Sequence, residues 1–211
     1  MNAEDFIFAD KKKLRDELRN KRRMLAPEKK NELSRRITEN IIFFFGKLDI
    51  SIINEKNFFS YSAYDNEVDL FEFNKKIIQN CGYVYLPVLN GNEMEFYKQK
   101  NLDNFVNNKY GIKEPCAFEK FSENESIFDK DRIIIFCPGI GFDKKLVRLG
   151  SGKGFYDRYL KKNISSNFIK IGIIYNFAFV ENLPKNDFDI NMDYVITESE
   201  IWNSSGKLFT I

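Results

Sequence analysis

Near the start of the chain apolar residues recur at helical spacing; further on they arrive in short, unbroken bursts. From Asp10, a candidate N-cap, KKKLRDELRNKRRML sets Leu14, Leu18 and Leu25 among charges and predicts a basic amphipathic helix. Pro27 suits a first-turn position, and Leu33, Ile37, Ile41 and Phe45 then recur every four residues, predicting a second helix closed by Gly46. Beyond it NFFSYSAY reads as a strand, residues 67–79 as a helix with Leu70, Phe71, Ile77 and Ile78 inward, and GYVYLPVL as another strand, which together make a βαβ unit. EMEFYKQ extends the strand pattern, and residues 98–126 read as an irregular excursion. In RIIIFCPGIGF the Ile-Ile-Ile-Phe run is that of a strand buried on both faces. FYDRYLKK predicts a helix, IKIGIIY a buried strand and DYVITE a last one. Strands alternating with helices imply an α/β fold: one domain over residues 1–211, with a central, mostly parallel sheet flanked by helices in a Rossmann-like three-layer arrangement. Ligands of such sheets sit beyond the carboxyl ends of the strands.

Composition narrows the chemistry. Lys and Arg number 33 against 31 Asp and Glu, a net charge of +2, so KKKLR and NKRR do not amount to a nucleic-acid surface. Histidine is absent, which removes Ser-His and Cys-His nucleophiles and the commonest transition-metal ligand together. Cys81, Cys116 and Cys137 lie far apart without a CxxC, which indicates neither a disulfide framework nor a cysteine zinc site and fits a reducing compartment. MNAEDFIFAD has the character of neither a signal peptide nor a membrane span, so the expected location is cytoplasmic. No obvious exposed apolar helix face is legible, and a monomer is expected.

RLGSGKGFYDR, residues 148–158, follows the most apolar strand directly. Gly150, Gly152 and Gly154 free the backbone for positive φ or close approach, Arg148 and Lys153 add charge, and a helix starting near Phe155 would aim its positive end at the same place. Asp157, one turn in, could hold Mg²⁺ beside phosphates. The loop is neither a Walker sequence, since Gly154 follows Lys153, nor a G-x-G-x-x-G fingerprint. From these residues alone it reads as a phosphate cradle or as a glycine-rich turn held by surface ion pairs.

CPGIGFDKKLVRLGSGKGFYDRYL, residues 137–160, resembles the signature of the 5-formyltetrahydrofolate cyclo-ligase family: the PG-x-x-FD turn, the RLG-x-G-x-G core and the YDR ending stand in one order. KKKLR, YSAYDNEVDL, YLPVL, YGIKEP and IGIIYNFAFVENLPKNDFDINMDYVITES are similar to further segments of that family, so the resemblance covers most of the chain. It implies an ATP- and Mg²⁺-dependent closure of 5-formyltetrahydrofolate, with or without a polyglutamate tail, to 5,10-methenyltetrahydrofolate, releasing ADP and phosphate, with no nucleic-acid or membrane partner. A folate-binding or regulatory protein that keeps the pocket without turnover is the alternative.

The same resemblance implies roles. Lys11 and Arg15, four apart on one helical face, match positions that reach ATP phosphates. Arg148, Leu149, Gly150, Ser151, Gly152, Lys153, Gly154, Phe155 and Tyr156 match the nucleotide loop, with Lys153 and Arg148 stabilising the transferred phosphoryl group. Ser62, Glu67 and Tyr110, with Ser151, Gly152, Lys153, Gly154 and Phe155 from the loop's other side, match the folate pocket; Glu67 would accept from two pterin N–H groups. Asp157 and Asp189 match the Mg²⁺ carboxylates. Four positions depart from the family pattern: Leu146 stands where glycine is frequent, Ser151 where a large residue is, Ala178 where Gln is, and Phe188 where His is. Leu146 must either avoid positive φ or accept strain.

Overall fold

The computed structural model describes residues 3–48, 57–116, 119–120, 133–163, 168–185 and 189–211. Two long helices come first, α1 (Ala3–Arg23) and α2 (Pro27–Lys47). Asp10 is not the N-cap of α1: no glycine or proline interrupts residues 3–9, and the helix already runs through them. Pro27 does open α2, but Gly46 does not close it; the helix runs one residue further, to Lys47, and its C-cap is Leu48 at φ −86°, which needs no left-handed residue.

A short strand β1 (Phe58–Phe59) leads through α3 (Phe71–Cys81) to β2 (Val84–Asn90). The predicted helix over 67–79 is thus shifted. A tight turn with left-handed Asp65 and Asn66 occupies the chain before Glu67, and the Asp69 carboxylate caps the Phe71 N–H at 2.9 Å, so α3 starts at Phe71 with that side chain exposed. Then come β3 (Glu93–Gln99), β4 (Phe105–Asn107), β5 (Lys113–Pro115), β6 (Glu119–Lys120), β7 (Ile133–Pro138), β8 (Gly141–Asp143), β9 (Arg148–Leu149) and α4 (Phe155–Lys162). Residues 98–126 therefore hold a hairpin, β4–β5, and an edge strand rather than only irregular chain. The chain goes on through β10 (Phe168–Ile173), a single 3₁₀ turn, β11 (Phe179–Val180), β12 (Tyr194–Ile196), β13 (Glu200–Asn203) and β14 (Gly206–Thr210). DYVITE is consequently not the last strand; β13 and β14 add an antiparallel hairpin outside it.

The main sheet runs β14-β13-β12-β10-β7-β1-β2-β3-β6 among the described residues. Its centre, β2-β1-β7-β10-β12, is parallel, and antiparallel strands border it on both sides. The alternation of side chains builds two cores. Phe58, Ile134 and Phe136 point to one face, where Ile37, Ile41, Phe44 and Phe45 of α2 and Phe73 and Ile77 of α3 cover them. Phe59, Ile133, Ile135 and Cys137 point to the other, under Leu18 of α1 and Leu160 of α4. The result is the three-layer α/β arrangement expected. No helix among the described residues is long and apolar enough to cross a membrane.

Counted along the parallel centre alone, the strand order is 2-1-3-4-5. The direction of winding reverses between β1 and β7, and the carboxyl ends of those two strands open a crevice between their outgoing loops.

Candidate active site

Both loops at this crevice are built by local rules. After β7 the chain enters a small sheet, β11-β8-β9, around the 1% exposed Asp143. Asp143 Oδ1 accepts the N–H groups of Lys145 and Val147, each at 2.9 Å, and Oδ2 that of Leu183 at 2.8 Å. The carboxylate thereby folds the turn that carries Leu146 at φ 61°; the leucine accepts the left-handed strain and is wholly buried. Beyond the turn, Arg148 is 6% exposed, with its guanidinium donating to Pro138 O at 3.1 Å and to Asp157 Oδ2 at 2.9 Å.

The three loop glycines do different work. Gly152 (φ 98°) and Gly154 (φ 67°) take left-handed conformations, and Gly154 opens α4. Gly150 serves close approach instead: a Cβ there would lie 3.0 Å from both terminal nitrogens of Arg148. Arg158 fastens the loop's end, donating to Lys153 O at 2.8 Å and Asn92 O at 2.6 Å.

Helix α1 lies along the back of this loop. Lys11 pairs with Asp189 at 2.5 Å, Arg15 Nε donates to Gly150 O at 2.9 Å, Arg19 to Ser151 O at 3.2 Å and Arg22 to Gly139 O at 3.1 Å. Burial, and then the like charge of Arg19, lower the Arg15 pKa, and Arg148 adds to the effect. The Arg15 guanidinium is thus a crowded cation beside a glycine loop, a setting that favours an anion.

On the front lies a cavity of about 250 Å³. Ser62 and Glu67 line it from the β1 side, Tyr110 from the β4–β5 hairpin, and Arg148, Ser151, Lys153, Gly154, Phe155 and Tyr156 from the loop side. Lys153 Nζ stands 5.7 Å from the Tyr110 ring centre. Burial pushes the Glu67 carboxyl up to about 7, opposed by Arg22 and by the Tyr64 N–H, which donates to Oε2 at 3.1 Å. Buried polar atoms without a hydrogen-bond partner among the described residues include Tyr156 Oη, Arg148 Nε and Arg19 Nε in residues that line the cavity, and Asp157 Oδ1 behind it, beside Arg148. Such groups can take the hydrogen bonds of a polar ligand.

Not every sequence-predicted residue faces the cavity. Leu149 buries its side chain in the core and contributes only backbone, its carbonyl accepting from Ile140 N–H at 2.7 Å. Lys11, Arg15, Gly150, Gly152, Asp157 and Asp189 sit away from the cavity lining. Asp157 and Asp189 are each engaged by a different cation, Arg148 and Lys11. No group of three or more potential metal ligands occurs among the described residues. One or two carboxylates with phosphate oxygens satisfy Mg²⁺, so the buried, unpartnered Oδ1 of Asp157 fits a metal that arrives with a nucleotide rather than alone. Of the departures, Ser151 is exposed, Ala178 is 1% exposed in the core, and Phe188 lies outside the described residues.

Sequence reasoning missed Arg19, Arg22, Asp65 and Arg158. Extending the Lys11–Arg15 spacing by four and then three residues along the same helical face finds the first two. Nothing local marks Asp65.

Similar proteins share this architecture. The Aquifex aeolicus 5,10-methenyltetrahydrofolate synthetase structure superposes with a TM-score of 0.75 at 27% identity, covering 95% of this chain and 96% of that one. The Mycoplasma pneumoniae 5,10-methenyltetrahydrofolate synthetase gives a TM-score of 0.67 at 26% identity over 90% and 99% of the two chains. The 5-formyltetrahydrofolate cyclo-ligase of Haemophilus influenzae is 28% identical over 183 residues, 85% of this chain and 93% of that protein. The model of the 5-formyltetrahydrofolate cyclo-ligase family matches residues 7–198, which contain the crevice, the glycine loop and the arginine face of α1. By fold, by loop and by near full-length match, this chain belongs to the 5-formyltetrahydrofolate cyclo-ligase family.

Proposed function

We propose that the protein closes 5-formyltetrahydrofolate to 5,10-methenyltetrahydrofolate with ATP and Mg²⁺, releasing ADP and phosphate, as a monomer in the cytoplasm and without a nucleic-acid or membrane partner. The observation that carries this reading is one cavity with the Glu67 carboxyl on one wall and the Lys153 loop on the other, backed by the crowded cations Arg15, Arg19 and Arg148.

A formamide oxygen leaves poorly, so it must first be phosphorylated. The formyl oxygen takes the γ-phosphoryl group, ADP departs, and N10 of the same folate attacks the activated carbon and loses its proton. The C–O bond to phosphate then breaks, leaving the methenyl bridge. The chain's own part is positioning and charge neutralisation, which needs no histidine. Glu67 accepts from pterin N–H groups and fixes the ring; Tyr110 and Phe155 offer faces to it, and Ser62 lines the same wall. Lys153, exposed at the cavity rim, is free to meet the phosphoryl group in transfer, with Arg148 behind it. Lys11 and Arg15 neutralise the remaining phosphates, and the loop from Leu149 to Tyr156 cradles them with its amides. Asp157 and Asp189 would hold Mg²⁺ against those phosphates, and the ion supplies charge neutralisation there.

Transfer to the formyl oxygen requires that oxygen to leave in the phosphate. With ¹⁸O in the formyl group, the released phosphate should carry the label. Unlabelled phosphate, with the label released as water, would overturn the proposed route.

A further inference from the structure

Residues 64–67 form a tight turn whose two central residues, Asp65 (φ 48°) and Asn66 (φ 59°), are both left-handed and neither is glycine. Glu67 N–H closes it onto Tyr64 O at 3.0 Å, and Tyr64 N–H donates back to Glu67 Oε2 at 3.1 Å. The carboxylate's direction is therefore a property of the turn. Asp and Asn tolerate the left-handed region better than other side-chain-bearing residues, and contacts outside the turn offset the strain that two in succession still carry.

Helix α1 supplies such contacts. Arg19, Arg22 and Arg23 approach the Asp65 carboxylate at 3.6, 3.5 and 3.6 Å. Arg22, 2% exposed, is itself fixed by its bond to Gly139 O at the end of β7, and Arg19 by its bond to Ser151 O in the glycine loop. Ion pairs on open surface contribute almost nothing, but this one neutralises a guanidinium sealed from water, where loss of the partner is costly. On the far side of the turn the Tyr175 hydroxyl donates to Glu67 O at 3.3 Å. The turn is gripped at both ends, and of residues 64–67 Tyr64 and Glu67 line the cavity.

We infer that Asp65 is a positioning residue for the folate: gripped by the α1 arginines, it holds the left-handed turn that aims the Glu67 carboxylate at the bound ring. This rests on the proposed function, since it takes Glu67 as the group that meets the pterin. It makes α1 a support for both halves of the site, through Arg15 and Arg19 on the glycine loop and through Arg19, Arg22 and Arg23 on the folate wall.

Two substitutions separate positioning from turn strain. Asp65→Asn keeps the shape and left-handed tolerance but drops the charge; Asp65→Gly removes the strain and the grip together, at a position whose φ suits glycine. Calorimetric affinity for 5-formyltetrahydrofolate should fall about tenfold in both variants, with ADP affinity unchanged and KM rising more than kcat falls. In a Glu67→Gln background, Asp65→Asn should cost less than about twofold more, because the group it positions is already gone. Wild-type folate affinity in Asp65→Gly, or losses that simply multiply in the double variant, would overturn the inference. A wild type that binds folate alongside an Asp65→Asn variant that binds it equally well would overturn it alone. A folded wild type that binds no 5-formyltetrahydrofolate would overturn it together with the proposed function.

Discussion

Arg148 and Asp157 form a 2.9 Å ion pair across the mouth of the glycine loop, joining the buried strand β9 to the first turn of α4. Each was singled out in the sequence for a different task, one for phosphate and one for metal, yet they meet each other. The pair fixes the loop before any ligand arrives, and the second Asp157 oxygen has no hydrogen-bond partner among the described residues.

Asp157→Asn should therefore act twice. Removing the negative charge from a pair whose arginine side chain is 5% exposed should cost about 2 kcal/mol in chemical denaturation, below the full cost of breaking a buried pair because the Asp157 side chain keeps 22% exposure. It should also raise the Mg²⁺ concentration at which ADP binding saturates. Calorimetry checks both the variant and the metal's dependence on nucleotide: wild type should take up Mg²⁺ with ADP and not without it. Submillimolar Mg²⁺ binding by the protein alone would contradict the shared-ligand arrangement.

Glu67 gives a pH signature. Its folded pKa of about 7 lies above the 4.5 of a free glutamate, so its contribution to stability is complete below pH 4.5 and is lost as pH rises through 7. Wild type should lose stability relative to Glu67→Gln between about pH 4.5 and 7, a difference in which the other carboxylates cancel. Folate affinity should move the opposite way, strengthening as the carboxyl ionises near pH 7 and becomes an acceptor. Parallel melts and calorimetric titrations across that range read both; a flat difference would mean that Glu67 is already ionised at low pH.

Leu146 tests strain against packing. Glycine would relieve a left-handed conformation worth about 1–2 kcal/mol, but it would empty a wholly buried leucine site, where truncation costs about 3–5 kcal/mol. Packing wins, so Leu146→Gly should destabilise by about 2 kcal/mol in urea denaturation, and a stabilised variant would show that strain dominates.

Much of this was legible because the signals were local. The four-residue spacing of Leu33, Ile37, Ile41 and Phe45 placed α2 on its buried face, and the Ile133–Phe136 run marked the central strand. RLGSGKGFYDR displayed its glycines and charges in one stretch. What stayed hidden depends on distant partners. Asp65 acquires meaning only when α1 packs against the turn, and Asp143 reads as an ordinary loop acid until its bonds to Lys145, Val147 and Leu183 are seen. The start of α3 was misplaced because apolar spacing cannot register a left-handed turn at Asp65 and Asn66, and β13 and the edge strand β14 are short and partly exposed, with weak alternation.

The most direct measurement is the absorbance of methenyltetrahydrofolate formed from 5-formyltetrahydrofolate by purified protein, with ATP and Mg²⁺ supplied together and each withheld in turn. Product that forms only when both are present, with one phosphate released per ring closed, is the predicted result. Folded protein that binds the folate but forms no product would contradict the catalytic assignment and leave a folate-binding protein of the same fold.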